Sequence, residues 1–247
     1  LVAAGVRPVA FVDYLAIDEP DDDFAEQIGE GLAAGADQAD IELVGGETAV
    51  MPEVVKGLDL AGACVGLADK DGIFDGAAEP GDTLVGWASS GIHSNGLTLA
   101  RTATTQEHEY TDPCPFDGYE TIGEALLEPT RIYTDLLTPM RAHGVRGAAH
   151  ITGGGWTNLQ RLGDHRYVVD DPFDAQPAFD FVQEQGNVSD AEMHTTFNMG
   201  TGFVAAVADD EAAADLAAAT DGRVIGHVEA SNDHDAGAGV SIRGLDL

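Results

Sequence analysis

The sequence predicts an α/β (α+β) protein of two domains. Short apolar runs of strand length alternate with helical patterns from end to end, several of those runs lead into glycine-bearing loops, and one turn-rich stretch interrupts the pattern. Alternation of this kind places a chain in the mixed classes. With 247 residues, 44% of them hydrophobic, the chain can bury a large core in one or two domains.

The elements follow in order. Leu1 to Ala4 reads as the tail of a helix that Gly5 terminates. Val9 to Ile17 is too continuously apolar for an exposed helix and reads as a buried strand. Asp21, Asp22 and Asp23 place negative charge at the start of a helix, whose apolar positions Phe24, Ile28, Leu32 and Ala36 keep helical spacing until Gly35 and Asp40 end it. Ile41 to Val44 is a second strand, running into the loop Gly45-Gly46-Glu47-Thr48. Leu58 to Asp69 is a third, with small residues facing close neighbours. The turn-rich segment Asp71 to Asp82 marks a boundary, giving domains 1–76 and 77–247.

The second domain opens with the strand Asp82 to Ala88, the polar loop Ser89 to Gly96 and a helix through Arg101. A polar connection without periodicity runs from Thr102 to Gly118. Pro129 can start a helix with Ile132, Leu136, Leu137 and Met140 on one face, and Pro139 should bend or end it. Ala148 to Ile151 is a strand before Thr152-Gly153-Gly154-Gly155, and Trp156 to Leu162 a helix behind that loop. Tyr167 to Val169 is a strand and Ala178 to Gln185 a helix. Gly202 to Val207 is a strand, and Asp209 to Thr220 a helix capped by acids. Strands Arg223 to Val228 and Val240 to Arg243 close the chain.

Charge excludes several functions. The chain carries 44 acidic and 11 basic side chains, a formal charge of −33, and its lysines are Lys56 and Lys70. A nucleic-acid partner needs clustered Lys and Arg and is not expected. The acids are spread over the length, which fits a surface adapted to a high-salt cytoplasm, where a Debye length of about 3 Å screens self-repulsion. No apolar span approaches the ~20 residues needed to cross a bilayer, and no signal peptide is evident. Cys64 and Cys114 have no metal-type spacing. Cys64 sits in an apolar run as a buried, inert thiol, and a reduced, cytoplasmic protein is expected.

Ser89-Ser90-Gly91-Ile92-His93-Ser94-Asn95-Gly96 carries the most chemistry. Its glycines allow close approach to a ligand, and the helix behind it leaves its first N–H groups without intrahelical partners. Such a loop suits an anion; the alternative is a turn in which Ser94 merely caps the helix. Three further glycine loops, at Gly45, at Gly153 and at Asn198-Met199-Gly200, together favour a phosphate-handling enzyme. Glu47 is placed to reach Mg²⁺ on substrate phosphates, and Asp13, inside an apolar strand, needs a partner or a cation. His93 and His150, both at strand ends, are candidates for acid–base work. His108, His143, His165 and His234 read as solvated. No Ser-His-Asp order, Walker lysine or His-x-x-x-His pair occurs, so hydrolase and zinc readings lose ground.

Several blocks together resemble phosphoribosylformylglycinamidine cyclo-ligase, also called aminoimidazole ribonucleotide synthetase. They are Phe11-Val12-Asp13-Tyr14, Leu43 to Pro52, Asp59 to Gly62, Ser89 to Gly96, Leu127-Glu128-Pro129-Thr130-Arg131-Ile132-Tyr133, Ala149 to Gly155 and Thr196 to Gly202, in the family's order and over nearly the whole chain. The resemblance implies a two-domain ATP-dependent purine-synthesis fold: an N-terminal half-barrel domain, incomplete here, that pairs in a homodimer, and a C-terminal α/β domain. It implies closure of formylglycinamidine ribonucleotide to 5-aminoimidazole ribonucleotide with ATP and Mg²⁺. His93 and His150 would be catalytic. Ser89, Ser90, Gly91, Ser94, Asn95, Thr152, Gly153, Gly154, Gly155 and Asn198 would bind substrate or phosphate. Asp13, Glu47 and Thr48 would bind the nucleotide, Asp13 and Glu47 through the metal. The family's Asp-Gly-Val-Gly-Thr-Lys loop has no counterpart here, so an N-terminally truncated chain is expected. A catalytically incomplete dimerisation or substrate-binding module, or a superfamily relative such as formylglycinamidine ribonucleotide amidotransferase, are the alternatives.

Overall fold

A computed structural model describes residues 1–74, 76–231 and 238–247. Asp75, inside the turn-rich boundary, and His234 lie outside the described residues. The chain divides into two compact units: residues 1–73 with 132–137, and residues 74–131 with 138–247.

In the first unit, a 3-10 turn over Val2–Ala4 ends at Gly5, whose φ of 74° is left-handed. Strand β1 (Arg7–Ile17) lies between β2 (Glu42–Val50), parallel to it, and β3 (Leu58–Leu67), antiparallel. Helix α1 (Asp22–Ala39) begins where Asp21 accepts the Phe24 N–H and ends at Asp40 in left-handed conformation, while Gly35 is accommodated inside it. Of its apolar stripe, Ala36 is buried and Phe24 is exposed.

Three expectations are corrected in this unit. Gly45-Gly46-Glu47-Thr48 is strand, not loop, because the glycines absorb an irregularity: the register skips Val44 opposite Phe11 and Val12, and Gly45 takes φ 150°. A Cβ at Gly46 would collide with the Asp13 carboxylate, and one at Gly62 with the Phe11 ring. Cys64 is exposed rather than buried, since β3 is uncovered on both faces. Asp13 is only half-buried, so its charge does not demand a cation.

The second unit is built on a seven-stranded sheet ordered β10-β9-β6-β8-β4-β7-β5. The strands are β4 (Thr83–Ala88), β5 (Val145–His150), β6 (Arg166–Val169), β7 (Thr201–Val207), β8 (Arg223–Glu229), β9 (Gly239–Ile242) and β10 (Leu245–Asp246). All neighbours pair antiparallel except β6 with β9. Leu84, Val204, Ala206 and Ile225 on one face pack against the 3-10 helix Gly155–Leu162 through Trp156, Leu159 and Leu162. Side chains alternate across a strand, so Val85, Trp87, Phe203 and Ala205 fill the opposite face, Trp87 meeting Phe203 edge-on at 6.1 Å.

The remaining helices of this unit are α2 (Leu97–Thr104), α3 (Ile122–Leu126), α4 (Leu137–Ala142), α5 (Pro177–Gly186), α6 (Asp190–Thr196) and α7 (Asp210–Ala219). The stretch from Pro129 to Tyr133 is irregular, not helical. Pro139 lies in the first turn of α4, where its missing N–H costs no intrahelical bond. Helices α3 and α6 do not follow from the periodicity. Among the described residues, no helix is long and apolar enough to cross a membrane.

Candidate active site

Strands β4 and β5 are both antiparallel to β7, which lies between them, so they run parallel and end on the same side of the sheet, beside the start of β7. The loops after β4 (89–96) and after β5 (151–155) and the segment before β7 therefore meet. Backbone bonds tie them there: Ser89 N–H donates to Gly200 C=O at 2.9 Å and Ile151 N–H to Gly202 C=O at 2.8 Å.

Inside the first loop, the Ser90 N–H donates to His93 Nε2 at 3.1 Å. The Ser90 hydroxyl donates to Pro129 C=O at 2.6 Å and accepts from the Arg131 N–H at 3.1 Å, which fastens residues 129–131 to the loop. Because Nε2 accepts, the neutral His93 ring carries its proton on Nδ1. His93 takes a left-handed backbone, φ 59°, and is 4% exposed. Burial, then the nearby His150 and Arg131, push its pKa down to about 4. A base that weak takes a proton poorly at neutral pH. His93 is thus better suited to orienting and donating a hydrogen bond than to accepting a proton, which narrows the acid–base role read from the sequence. His150, 6.1 Å away between ring centroids, is also lowered by burial.

Helix α2 is not capped by Ser94. Its N-cap is Gly96, left-handed at φ 65°, with no side-chain capping bond. Ser94 instead lies within 3.3 Å of Thr130 through their hydroxyls and is exposed. A Cβ on Gly96 would strike the Phe197 ring, so only glycine fits there.

The second loop is organised by a residue the sequence reading did not single out. Asn158 is 3% exposed, donates to Gly153 C=O at 3.1 Å and Gly155 C=O at 2.7 Å, and accepts from the Thr152 hydroxyl at 3.2 Å. The run Trp156 to Leu162 mixes polar and apolar residues and holds a second amide, Gln160, so nothing in the sequence singles Asn158 out. Gly155 has φ 53°, and a Cβ there would overlap His194 C=O; Gly153 and Gly154 are exposed. The Asn95 carboxamide oxygen lies 3.5 Å from where a Gly153 Cβ would stand, so the two loops adjoin.

Asn198 is buried, and its carboxamide is occupied within the fold: it donates to Gly91 C=O at 2.9 Å and accepts from Gly200 N–H at 2.9 Å. The bond to Gly91 ties the loop after β4 to the segment before β7, within which the Gly200 bond lies. Gln176, also missed, donates to Ser89 C=O at 2.6 Å and accepts from the Ser89 hydroxyl at 3.3 Å. Arg131 grips Asp221 with two bonds of 2.7 and 2.9 Å, and that contact holds the Asp221 carboxyl below its ordinary range.

In the first unit, the register pairs Asp13 with Gly46, Tyr14 with Glu47 and Leu15 with Thr48. Paired residues share a face, so Asp13 and Thr48 lie on one face of the sheet and Glu47 on the other. A single ion held by Asp13 and Glu47 on this sheet is not formed. Among the described residues, no group of three His, Cys, Asp or Glu side chains stands close enough to hold a metal.

The fold and its glycine loops define an AIR synthase related protein: the family's N-terminal domain matches residues 1–68 and its C-terminal domain residues 79–238. The chain belongs to the phosphoribosylformylglycinamidine cyclo-ligase family. It is 46% identical to the enzyme of that name from Methanosarcina acetivorans over 92% of this chain and 69% of the relative, and 47% identical to that of Methanopyrus kandleri over 91% and 68%. Among solved structures, thiamine-monophosphate kinase from Stenotrophomonas maltophilia matches with a TM-score of 0.71 at 22% identity, covering all of this chain and 75% of that one. Hydrogenase maturation protein HypE in complex with ATP matches at 0.71 and 15%, covering all of this chain and 74% of that one. These two show the shared fold.

Proposed function

We propose that this chain closes the imidazole ring of formylglycinamidine ribonucleotide, using ATP, and that the loops after β4 and β5 hold the phosphorylated end of that substrate or the phosphoryl group in transfer. In this reading the formyl oxygen attacks the γ-phosphorus, ADP leaves, the substrate nitrogen attacks the activated carbon, and inorganic phosphate departs. The observation that carries the reading is the convergence of exposed Ser94, Gly153 and Gly154 and half-buried Asn95 from the ends of β4 and β5, which flank β7. Backbone N–H groups and short polar side chains at such a place suit a phosphate.

Each residue then has a task. Asn158 fixes the glycine loop and Asn198 fixes Gly91, so both position without touching substrate. Neutral His93 orients the loop through Nε2, and His150, likewise lowered by burial, is the second candidate for proton transfer. The ATP phosphates lie against the face that carries Asp13 and Thr48. Mg²⁺ would neutralise the transferred phosphoryl group when bound; among the described residues no complete site for it is assembled.

The exposed sheet of the first unit pairs with that of a second copy. Val44, Val65 and Leu67 are 62%, 58% and 64% exposed on β2 and β3, an apolar surface of the sort that marks an interface. The enzyme works in concentrated salt, in keeping with its charge. Ring-closure kinetics test the site: Ser94→Ala with Asn95→Ala should raise KM about tenfold or more, the loss of charged hydrogen bonds, with folding intact. Unchanged KM would refute the phosphate role. Light scattering at high salt tests the pairing, and a monomer at micromolar concentration would refute it.

A further inference from the structure

A pocket lies within the second unit, lined by Ile92 of the loop after β4 and by residues of α2 and α3. Ile92, Leu97 and Ala100 form one wall and Gly123, Leu126 and Leu127 another, around about 270 Å³. The wall is fixed locally. The Gly123 N–H donates to Tyr110 C=O at 2.8 Å, and a Cβ at Gly123 would stand 3.0 Å from that oxygen, so glycine lets α3 close on residue 110. Thr121 and Glu124 form a reciprocal capping box at the start of α3.

Two polar groups border this apolar space: Arg101 and Tyr110, both exposed. Neighbouring carboxylates are engaged elsewhere. Glu124 accepts the N–H groups of Glu120 and Thr121 at 2.9 and 3.2 Å, and Glu128 accepts the Tyr119 hydroxyl at 3.0 Å. Arg131, Arg146, Arg166, Arg223 and Arg243 all pair with acids. Among the described residues Arg101 has no carboxylate partner, although acids outnumber bases 44 to 11. A guanidinium beside an apolar cavity matches a carboxylate on an apolar body, because it binds carboxylates with two parallel bonds.

We propose that this pocket binds a small carboxylic acid whose apolar body fills the space between α2 and α3 and whose carboxylate sits on Arg101. The volume suits a ligand of about ten heavy atoms. The test is calorimetric titration of the whole chain with 4-phenylbutyrate and with its uncharged amide, at one fixed salt concentration. The acid should bind about tenfold more tightly than the amide. Arg101→Gln should abolish that difference, and Leu127→Trp, at a side chain 79% exposed on the rim, should weaken both ligands. Both substitutions are at exposed positions, and unchanged far-ultraviolet circular dichroism will establish that the variants fold. Equal affinity for acid and amide, absence of binding, or an Arg101→Gln variant that keeps its preference for the acid would each overturn the proposal.

Discussion

In the second unit, β4 and β7 are buried along every residue but one, whereas in the first unit β2 and β3 are exposed along all but one residue each. The run that forms β3 is as apolar as those that form β4 and β7. The difference is cover: β4 and β7 have Trp156, Leu159 and Leu162 on one face, while α1 buries a single residue, Ala36. An apolar strand therefore does not report by itself whether its own chain buries it. Glycines divide by local cover rather than by unit, since Gly46 and Gly62 in the first unit also have no room for a Cβ. Gly29, Gly31 and Gly35 on α1 have nothing within 4 Å of a built Cβ, while Gly96, Gly155 and Gly226 in the second unit would each collide with a neighbour.

That contrast can be broken most severely at Gly155. Gly155→Ala combines a left-handed φ with overlap on a backbone carbonyl, and should cost about 4 kcal/mol or more in denaturant unfolding. A cost below about 1 kcal/mol would show that the loop is not held as described. Salt separates the units next. As salt is withdrawn, the charge of −33 should destabilise the chain by a few kcal/mol, and the thinly cored first unit should unfold first. Both tryptophans, Trp87 and Trp156, lie in the second unit. Their fluorescence should therefore change at lower salt than the far-ultraviolet signal begins to fall; coincident transitions would contradict the division.

Acid acts through the second unit. His93 is lowered to about 4 in the folded state from 6.5, so between those values the unfolded chain holds the extra proton. Its contribution is complete above about pH 6.5 and is lost as pH falls toward 4, up to ~3 kcal/mol. His93→Gln should flatten that part of the pH–stability curve, and proton resonances of the His93 ring should titrate near 4. Asn158→Ala should cost about 2 kcal/mol by leaving the Gly153 and Gly155 carbonyls unpaired. Smallest is Gly35→Ala in the first unit, expected to stabilise by ~0.5–1 kcal/mol because the helix has room for it.

Much of this was legible in the residues. The runs forming β1, β4 and β7 and the acid-capped α7 follow from hydrophobic pattern and local capping, as at Asp209, which accepts the Ala212 N–H. The two loops were legible too, since Ser89 to Gly96 and Thr152 to Gly155 stand between strand and helix. What failed depends on partners distant in sequence. Gly45 and Gly46 look like a turn until Asp13 and the register against β1 show why a strand needs them there. Ser94 looks like a cap until Thr130 draws it away. Gln176 carries no pattern of its own, because its bonds go to Ser89 in another loop; Asn158 bonds locally, to Thr152, Gly153 and Gly155, and still has no pattern that singles it out. Helix α3 is different: Thr121-Ile122-Gly123-Glu124 is a capping-box signature that the sequence itself carries.

The central claim is that the loops after β4 and β5 read a phosphate, and it is tested most directly by comparing formylglycinamidine ribonucleotide with the same compound lacking its 5′-phosphate. Calorimetric titration at high salt should give at least tenfold tighter binding for the phosphorylated form, with the gap closing in the Ser94→Ala, Asn95→Ala double variant. Equal affinities in the unaltered chain, or a gap that survives the double substitution, would contradict it.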